Sequence, residues 1–310
     1  MGIPGDYWCR LPNSFNQSDY TMLLSTTQTD DRWWIPEVKS AKTGNYSYSR
    51  CLMFDFDRLN ITSHHNFQEN TESLPTVPCT HGYDYDRSVY QDTLVTEWNL
   101  VCDKEDLPTW SLFINTVGTL IGCLLFGFLS DRIGRKKAFF SAAMIQLASG
   151  IATAFSPNYP LFCLARFING LTVIPVYLIP LIMGLELVGP SKRAAVGTTV
   201  SFFYSLGVVG VAVVAYFVRP WFEFQLAVTL PFTFFVAYWW LLPESPRWLM
   251  ARGRIDEMLG IVKRIIKVNK PDLPENYLEV LRAKCEAAVD PESAHKYQMN
   301  GLTLIKKIEI

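Results

Sequence analysis

Residues 110–137 read WSLFINTVGTLIGCLLFGFLSDRIGRKK. The first twenty, residues 110–129, are uncharged and mostly apolar, and a charge cluster begins immediately after them at Asp131. A second uncharged run starts at Ala138. Since the hydrocarbon core of a bilayer is crossed by roughly 20 apolar residues in a helix, this stretch predicts a membrane crossing followed by a tight turn.

Four further stretches have the same character. The chain of 310 residues is 49% hydrophobic, but the apolar residues are concentrated rather than spread. The five uncharged stretches are about 108–130, 138–156, 159–185, 194–217 and 224–242, the third interrupted once by Arg166. A soluble protein would place charges between them to solvate its outer faces. The sequence therefore predicts an all-α polytopic membrane protein with five transmembrane helices.

Lysine and arginine in the connections predict the orientation. The 131–137 connection has four of these bases, the 186–193 connection has two and the segment from residue 243 onward has twelve. The opposite connections, 156–160 and 218–223, have none and one. Because basic residues accumulate in cytosolic loops, the first three segments are expected in the cytosol. The expected domains are an extracellular loop domain at 1–108, a bundle at 109–243 and cytosolic helices at 244–310.

The predicted exterior has the composition of a secreted loop. Residues 1–108 carry a net charge of -8, whereas residues 109–310 carry +7. Sequons for glycosylation occur at Asn16, Asn45 and Asn60 and nowhere after residue 108. Four cysteines fall in the same part, which predicts two disulfides and a small stapled cap, with three pairings open: Cys9, Cys51, Cys79 and Cys102.

No catalytic arrangement stands out in the sequence. The four histidines all lie outside the predicted spans, and neither a metal-ligand spacing nor a phosphate-binding glycine loop occurs. We therefore predict no enzymatic activity, cofactor, bound metal or nucleic-acid partner. The bilayer itself is the first expected partner.

Acids accompany the bases at the predicted cytosolic helix ends. Positive-inside anchoring explains the bases but not three acids at one membrane depth. Acid–base clusters that link helix ends form in one conformation and break in another, so we predict a cytosolic gate. Its residues are Asp131, Arg132, Gly134, Arg135, Glu186, Arg193, Glu244 and Arg247.

Polar and aromatic residues inside the spans are candidates for a substrate cavity. Arg166 lies roughly 10 Å inside its helix, and an ionisable residue at that depth is a functional candidate. Asn115 gives a milder signal of the same kind. The rings of Tyr177, Phe203 and Tyr204 offer faces to a cationic or aromatic solute. Packing or lipid contact is the competing explanation for each ring.

Several segments of the chain are recognisable motifs. GFLSDRIGRK at 127–136, RFING at 166–170, ELVGPSKR at 186–193 and PESPRWL at 243–249 resemble segments found throughout the major facilitator superfamily. DYWCRLP at 6–12, CTHGYDYD at 79–86 and TLVTEWNLVCD at 93–103 resemble segments of its organic cation, anion and zwitterion transporters. The long cysteine-bearing loop and the run Thr96–Trp98 favour that family over the sugar carriers.

The resemblance implies a carrier of twelve helices in two halves, with alternating access and a substrate cavity between the halves. The chain then corresponds to most of the first half. We expect a fragment that lacks the first span, because residues 1–5 are not a signal peptide and an extracellular front needs a preceding span. The second half of the carrier is accordingly an expected partner.

The expected function is plasma-membrane transport of small organic ions, with cations or zwitterions favoured by the acidic exterior. Two alternatives stay open. One is a carrier of the same superfamily for sugars or other neutral solutes. The other is a non-transporting, receptor-like or adhesion protein whose cap binds a partner.

Overall fold

The computed structural model of the chain describes residues 6–10, 35–39, 46–55, 74–87, 91–269, 274 and 276–289. They divide between two compact units. The first unit comprises residues 1–110 and 219–221, and the second comprises residues 111–218 and 222–310.

The first unit contains short antiparallel strand pairs. Strand β1 (Tyr7–Cys9) pairs with β6 (Tyr83–Tyr85), so that Cys9 lies opposite Tyr83. Strand β2 (Glu37–Lys39) pairs with β3 (Tyr46–Tyr48), and β4 (Leu52–Phe54) pairs with β5 (Thr76–Pro78). Two-stranded pairs are marginal alone, so this unit needs further support.

Two disulfides supply that support. Cys9 is bonded to Cys79 and Cys51 to Cys102, which selects one of the three pairings left open by the sequence. The apolar core around them is small: its buried members are Cys9, Ile35, Met53 and Phe54. Cross-links compensate for such a limited core. The predicted glycosylation sites Asn16, Asn45 and Asn60 lie outside the described residues.

Removing the second cross-link is expected to destabilise the first unit strongly. The Cys51–Cys102 bond closes a loop with a sequence separation of 51 residues. Loop-closure entropy then predicts a loss of about 4 kcal/mol for Cys51→Ser combined with Cys102→Ser, measured by denaturant unfolding of the detergent-solubilised chain. Cys123→Ser removes a free, exposed cysteine and is the matched control. Peptide mapping without reductant that recovers another pairing would contradict the assignment.

A short capped helix ends the first unit. Helix α1 (Leu94–Glu97) begins at Thr93, whose hydroxyl accepts a hydrogen bond from the Thr96 backbone N–H in a capping box. The Trp221 indole N–H donates to the Glu97 carboxylate, and the rings of Trp221 and Trp98 lie 6.0 Å apart. The Thr96–Trp98 run is thus held both by the helix cap and by Trp221, which belongs to the same unit.

The second unit is helical. Its longer helices are α2 (Leu107–Ile133, whose first turn belongs to the first unit), α3 (Arg135–Ala154), α4 (Tyr159–Leu187) and α5 (Arg193–Phe217). The shorter helices are α6 (Trp221–Thr229), α7 (Phe234–Leu241), α8 (Pro246–Ala251), α9 (Ile255–Asn269) and α10 (Tyr277–Val289).

Three helical segments in the described part of the chain are long and apolar enough to cross a membrane. They are Cys102–Ile133, Tyr159–Leu187 and Arg193–Phe217, and they coincide with the first, third and fourth predicted spans. Helix α3 coincides with the second predicted span, 138–156, but it begins with three bases and is rich in alanine and serine. It is therefore less apolar than the other three.

The fifth predicted span, 224–242, is not one continuous helix. Helix α6 ends at Thr229, a 3-10 turn occupies Leu230–Thr233, and α7 begins at Phe234. Pro231 accounts for the break because proline lacks a backbone N–H and its ring clashes with the carbonyl four residues earlier. The predicted fifth span thus corresponds to two short helices joined by a 3-10 turn.

Helices α2 and α4 pack backbone against backbone. A Cβ atom added at Gly122 would lie 2.0 Å from the Leu171 carbonyl oxygen, and one at Gly170 would lie 2.2 Å from the Asn115 carbonyl oxygen. Such close approach is typical of helix packing in lipid, where small residues form the interface. This crossing fixes α2 beside α4 and thereby brings their charged ends together.

Candidate functional site

Arg135 is the centre of a charge network at the junction of α2 and α3. Its Nη1 lies 3.1 Å from Asp131 Oδ1 and 2.9 Å from the Ser130 hydroxyl, and its Nη2 lies 3.7 Å from Glu186 Oε1. The side chains of Arg135 and Glu186 are only 20% and 12% exposed, whereas Asp131 is 69% exposed. The Arg135–Glu186 pair is therefore weakly screened by water, and Asp131 adds a solvated charge at its edge.

Glu244 caps the start of α3 from a distant part of the chain. Its Oε1 accepts hydrogen bonds from the backbone N–H groups of Lys136, at 2.9 Å, and Ser245, at 3.1 Å. The Ser245 hydroxyl donates in turn to Glu186. A carboxylate at a helix N-terminus satisfies an orphan N–H and interacts favourably with the helix dipole. Glu244 and Glu186 are thereby joined through Ser245.

Gly134 is required at the turn between α2 and α3. Its φ of 107° belongs to the region that favours glycine, and an added Cβ would lie 2.5 Å from Glu244 Oε2. Both the turn and the approach of Glu244 therefore depend on the absence of a side chain.

Helix α8 caps the end of α2. The Trp248 indole N–H donates to the Asp131 carbonyl at 2.8 Å. The Arg252 guanidinium donates to the carbonyls of Asp131, at 2.9 Å, and Arg132, at 3.0 Å. The last carbonyls of a helix have no intrahelical partner, and a cation there is stabilised by the helix dipole. Sequence reasoning missed Ser245, Trp248 and Arg252, although the unpaired ends of α2 and α3 already required partners.

A cavity of about 340 Å³ opens beside the network. Asp131, Arg135, Glu186, Trp248 and Arg252 are among its lining residues. The predicted gate residue Arg247 also lines it, but without a close ion pair to the network among the described contacts.

The structure separates two predicted gate residues from the network. The Arg132 side chain points its guanidinium toward the Phe128 ring, 4.5 Å from the centroid, and only its backbone carbonyl contacts Arg252. Arg193 begins α5, and no contact of its side chain with the network occurs among the described residues. The network of close contacts consists of Asp131, Gly134, Arg135, Glu186 and Glu244 from the prediction, together with Ser130, Lys136, Ser245, Trp248 and Arg252.

Two predicted cavity residues carry unsatisfied polar atoms. Asn115 Oδ1 on α2 and Arg166 Nε on α4 are buried without a hydrogen-bond partner in the described part of the chain. The Arg166 guanidinium lies 5.4 Å from the centroid of the Phe162 ring. Buried polar atoms are normally paired, so these two atoms are exceptions, as is Nε of Arg135 in the charge network.

The three aromatic cavity candidates, Tyr177, Phe203 and Tyr204, lie on α4 and α5. Tyr177 of α4 and Tyr204 of α5 have ring centroids 5.5 Å apart. Phe203 is 65% exposed and contacts the neighbouring Phe202 ring at 5.9 Å. No cluster of three or more histidine, cysteine or acidic side chains with metal-binding potential occurs among the residues that the structure describes.

Comparison with known proteins identifies the family of the chain. Residues 59–305 match the family described as "Sugar (and other) transporter", which covers most of the chain. The chain belongs to this transporter family. Family and fold point to a carrier rather than an enzyme, and the membrane class predicted from the sequence is confirmed.

Within the family, the resemblance to the organic ion transporters is confirmed. The chain is 38% identical over 240 residues to the organic cation transporter protein of Drosophila melanogaster, covering 76% of this chain and 43% of that one. It is 36% identical over 295 residues to the beta-alanine transporter of the same organism, covering 90% and 47%. It is 34% identical to solute carrier family 22 member 6 of Mus musculus, covering 76% and 41%. The chain thus spans about half the length of these relatives.

Similarity to solved structures supports the fold of the chain but not its function. The proton:xylose symporter XylE bound to 6-bromo-6-deoxy-D-glucose matches with a TM-score of 0.53 and 21% identity, over 64% of this chain and 46% of that one. The helical unit therefore has the fold of a major facilitator carrier.

Proposed function

We propose that the chain forms most of the first half of a plasma-membrane carrier that moves small organic ions by alternating access. The observation that carries the proposal is the network around Arg135, which ties the ends of α2, α3 and α4 to residues 244–252. A network of this kind stabilises one packing of helix ends and is lost in another. The remaining half of the transport pathway belongs to a second six-helix half that acts as the partner of this chain.

The proposed substrates are small organic cations or zwitterions, which carry a positively charged nitrogen. Relatives of the chain include proteins described as transporters of organic cations, beta-alanine and carcinine. The charge of -8 on residues 1–108 raises the local concentration of cations by attraction. The sugar carrier remains the second candidate, because the family description includes sugars and XylE shares the fold.

The proposed topology has five spans, with α3 and the broken α6–α7 pair crossing the bilayer beside α2, α4 and α5. The network and α8–α10 face the cytosol, where the basic connections belong. Residues 1–108 face the exterior, which is the oxidising side that permits the two disulfides and glycans at Asn16, Asn45 and Asn60.

In the proposed mechanism the network closes the cytosolic side while the exterior side is open. Asn115 and Arg166 offer unsatisfied polar atoms to the solute, and Tyr177, Phe203 and Tyr204 offer ring faces. Arg193 and Arg247 add positive charge at the same, cytosolic end of the helices. Substrate binding shifts the population toward the packing in which the network is broken.

Uptake by a chimera tests the function. Residues 1–310 replace the matching half of the Drosophila organic cation transporter protein, and cells expressing the chimera are given radiolabelled tetraethylammonium, beta-alanine or xylose. We expect saturable uptake of tetraethylammonium, of beta-alanine or of both, and none of xylose. The untransfected cell line and the parent transporter are the controls. Xylose uptake would favour the second candidate, and a surface-expressed chimera without any uptake would refute transport.

A further inference from the structure

Helix α9 uses its apolar face within a cluster of cytosolic helices. Met258 is buried against Leu249 of α8 and Cys285 of α10, and Leu259 and Val262 pack around them. Burial raises the pKa of the Cys285 thiol, which keeps it neutral and compatible with this core. The apolar face of α9 is thus already occupied, so any further partner meets its other faces.

The acids of α9 are neutralised inside the same cluster. Asp256 pairs with Arg282 of α10, and Glu257 pairs with Arg254. Both acids lie in the first turn of the helix. The first half of α9 therefore contributes no free negative charge.

The second half of α9 presents exposed bases. Lys263, Arg264 and Lys267 are exposed, and none of them forms an ion pair with another residue that the structure describes. At about 100° per residue, the three bases share one side of the helix. Val268 follows them and is 74% exposed. This basic edge, Lys263, Arg264 and Lys267 with Val268, combines positive charge with an exposed apolar side chain.

Contacts of α8 place the start of α9 beside the end of a candidate membrane span. Trp248 and Arg252 bind the last carbonyls of α2, which is a candidate span. Arg254, where α9 begins, lies 6.0 Å from the centroid of the Trp248 ring. The start of α9 therefore lies close to the end of α2. The basic edge begins at Lys263, nine residues or roughly 14 Å of helix further along α9.

We propose that the basic edge of α9 binds the headgroups of anionic phospholipids, with Val268 reaching the interface. Lysine and arginine near a negatively charged leaflet are attracted to it, and a basic helix with an apolar side chain lies in the interfacial plane. The lipid contact goes beyond transport and keeps α9 against the bilayer. Only its assignment to the cytosolic leaflet rests on the proposed topology.

Hydrogen exchange in nanodiscs tests the lipid contact. The chain is reconstituted in phosphatidylcholine alone or with added phosphatidylserine, and exchange is followed over residues 260–269. We expect exchange about tenfold slower with phosphatidylserine, and the difference to shrink at high salt, because three bases contribute and salt screens them. The combined variant Lys263→Gln, Arg264→Gln and Lys267→Gln loses the difference.

Lys284→Gln is the matched control, since Lys284 is an exposed base on α10 of the same cluster. It keeps the phosphatidylserine effect. Protection of the Met258 amide in every variant reports that the cluster is folded. Equal exchange in both nanodiscs, or an effect that survives in the combined variant, overturns the proposal and leaves an acidic protein segment as the partner of this edge. Both nanodisc leaflets have one composition, so the outcome does not depend on the proposed topology or on transport.

Discussion

Arg135→Ala is expected to lower the free energy of unfolding by about 3 kcal/mol, because it leaves the Glu186 carboxylate without its cation in a poorly hydrated site. The value lies at the low end for such changes, since Arg135 itself keeps 20% of its side chain exposed. The variant also removes the ion pair with Asp131 and the hydrogen bond to Ser130. Denaturant unfolding of the chain in detergent measures the loss.

Arg132→Ala is the matched control, because it removes the same charge from the same turn. The Arg132 guanidinium contacts the Phe128 ring rather than the network, so its loss is expected to cost less than about 1 kcal/mol. In a double-mutant cycle, Arg135→Ala and Glu186→Gln should show a coupling energy of about 1–3 kcal/mol. Equal effects of the two arginine variants would contradict the special role of Arg135.

Arg135→Ala also tests the proposed transport mechanism. If the network stabilises only the packing that is closed to the cytosol, a loss of about 3 kcal/mol shifts that equilibrium by about 100-fold. The chimera carrying Arg135→Ala should then reach the surface yet transport poorly, and a cytosolic thiol reagent should reach α2 more readily. Transport at the parent rate would show that the network is structural and not a gate.

Gly122→Ala is expected to disrupt the crossing of α2 and α4. The new Cβ would lie 2.0 Å from the Leu171 carbonyl oxygen and 2.6 Å from its Cα, and backbone atoms have no rotamer with which to move away. Overpacking of this kind costs about 3 kcal/mol, and the helices must separate to accommodate it. The thermal unfolding midpoint of the chain in a single detergent should fall accordingly.

Gly127→Ala supplies a control on the same helix. Nothing lies within 4 Å of a Cβ built at Gly127. Because alanine is favoured over glycine in a helix, this variant is expected to be neutral or to stabilise the chain by up to about 1 kcal/mol. A loss of stability at Gly122 together with no loss or a gain at Gly127, five residues away, would identify the crossing. Equally small changes in stability at both positions would mean that α2 and α4 do not approach as closely as described.

The long apolar helices were predictable from the sequence, because each is encoded by a continuous local run. The ends of these helices were not predictable from the same runs. Helix α3 starts at Arg135, three residues before the apolar run at Ala138, because helical hydrogen bonding includes the charged turn. The break at Pro231 shows the opposite effect, in which one residue interrupts an otherwise sufficient run. Composition predicts where a helix is stable in lipid, and backbone geometry decides where it begins and ends.

The candidate site was predictable as residue types but not as contacts. Acids and bases at one membrane depth identified Asp131, Arg135, Glu186 and Glu244, since each signal is local. The bond from Lys136 to Glu244 joins residues 108 apart, and no local pattern states which helix ends are neighbours. The disulfide pairing had the same limit, because four cysteines allow three pairings until the fold selects one.

The end of α2 is completed by residues made much later. Trp248 and Arg252 bind carbonyls of Asp131 from 117 and 121 residues further along the chain. At roughly 5–20 residues per second, synthesis supplies them on the order of 10 s after α2 itself. During that interval the last carbonyls of α2 lack these two donors and need water or another partner. Synthesis of α8 then supplies the hydrogen bonds that complete the helix end.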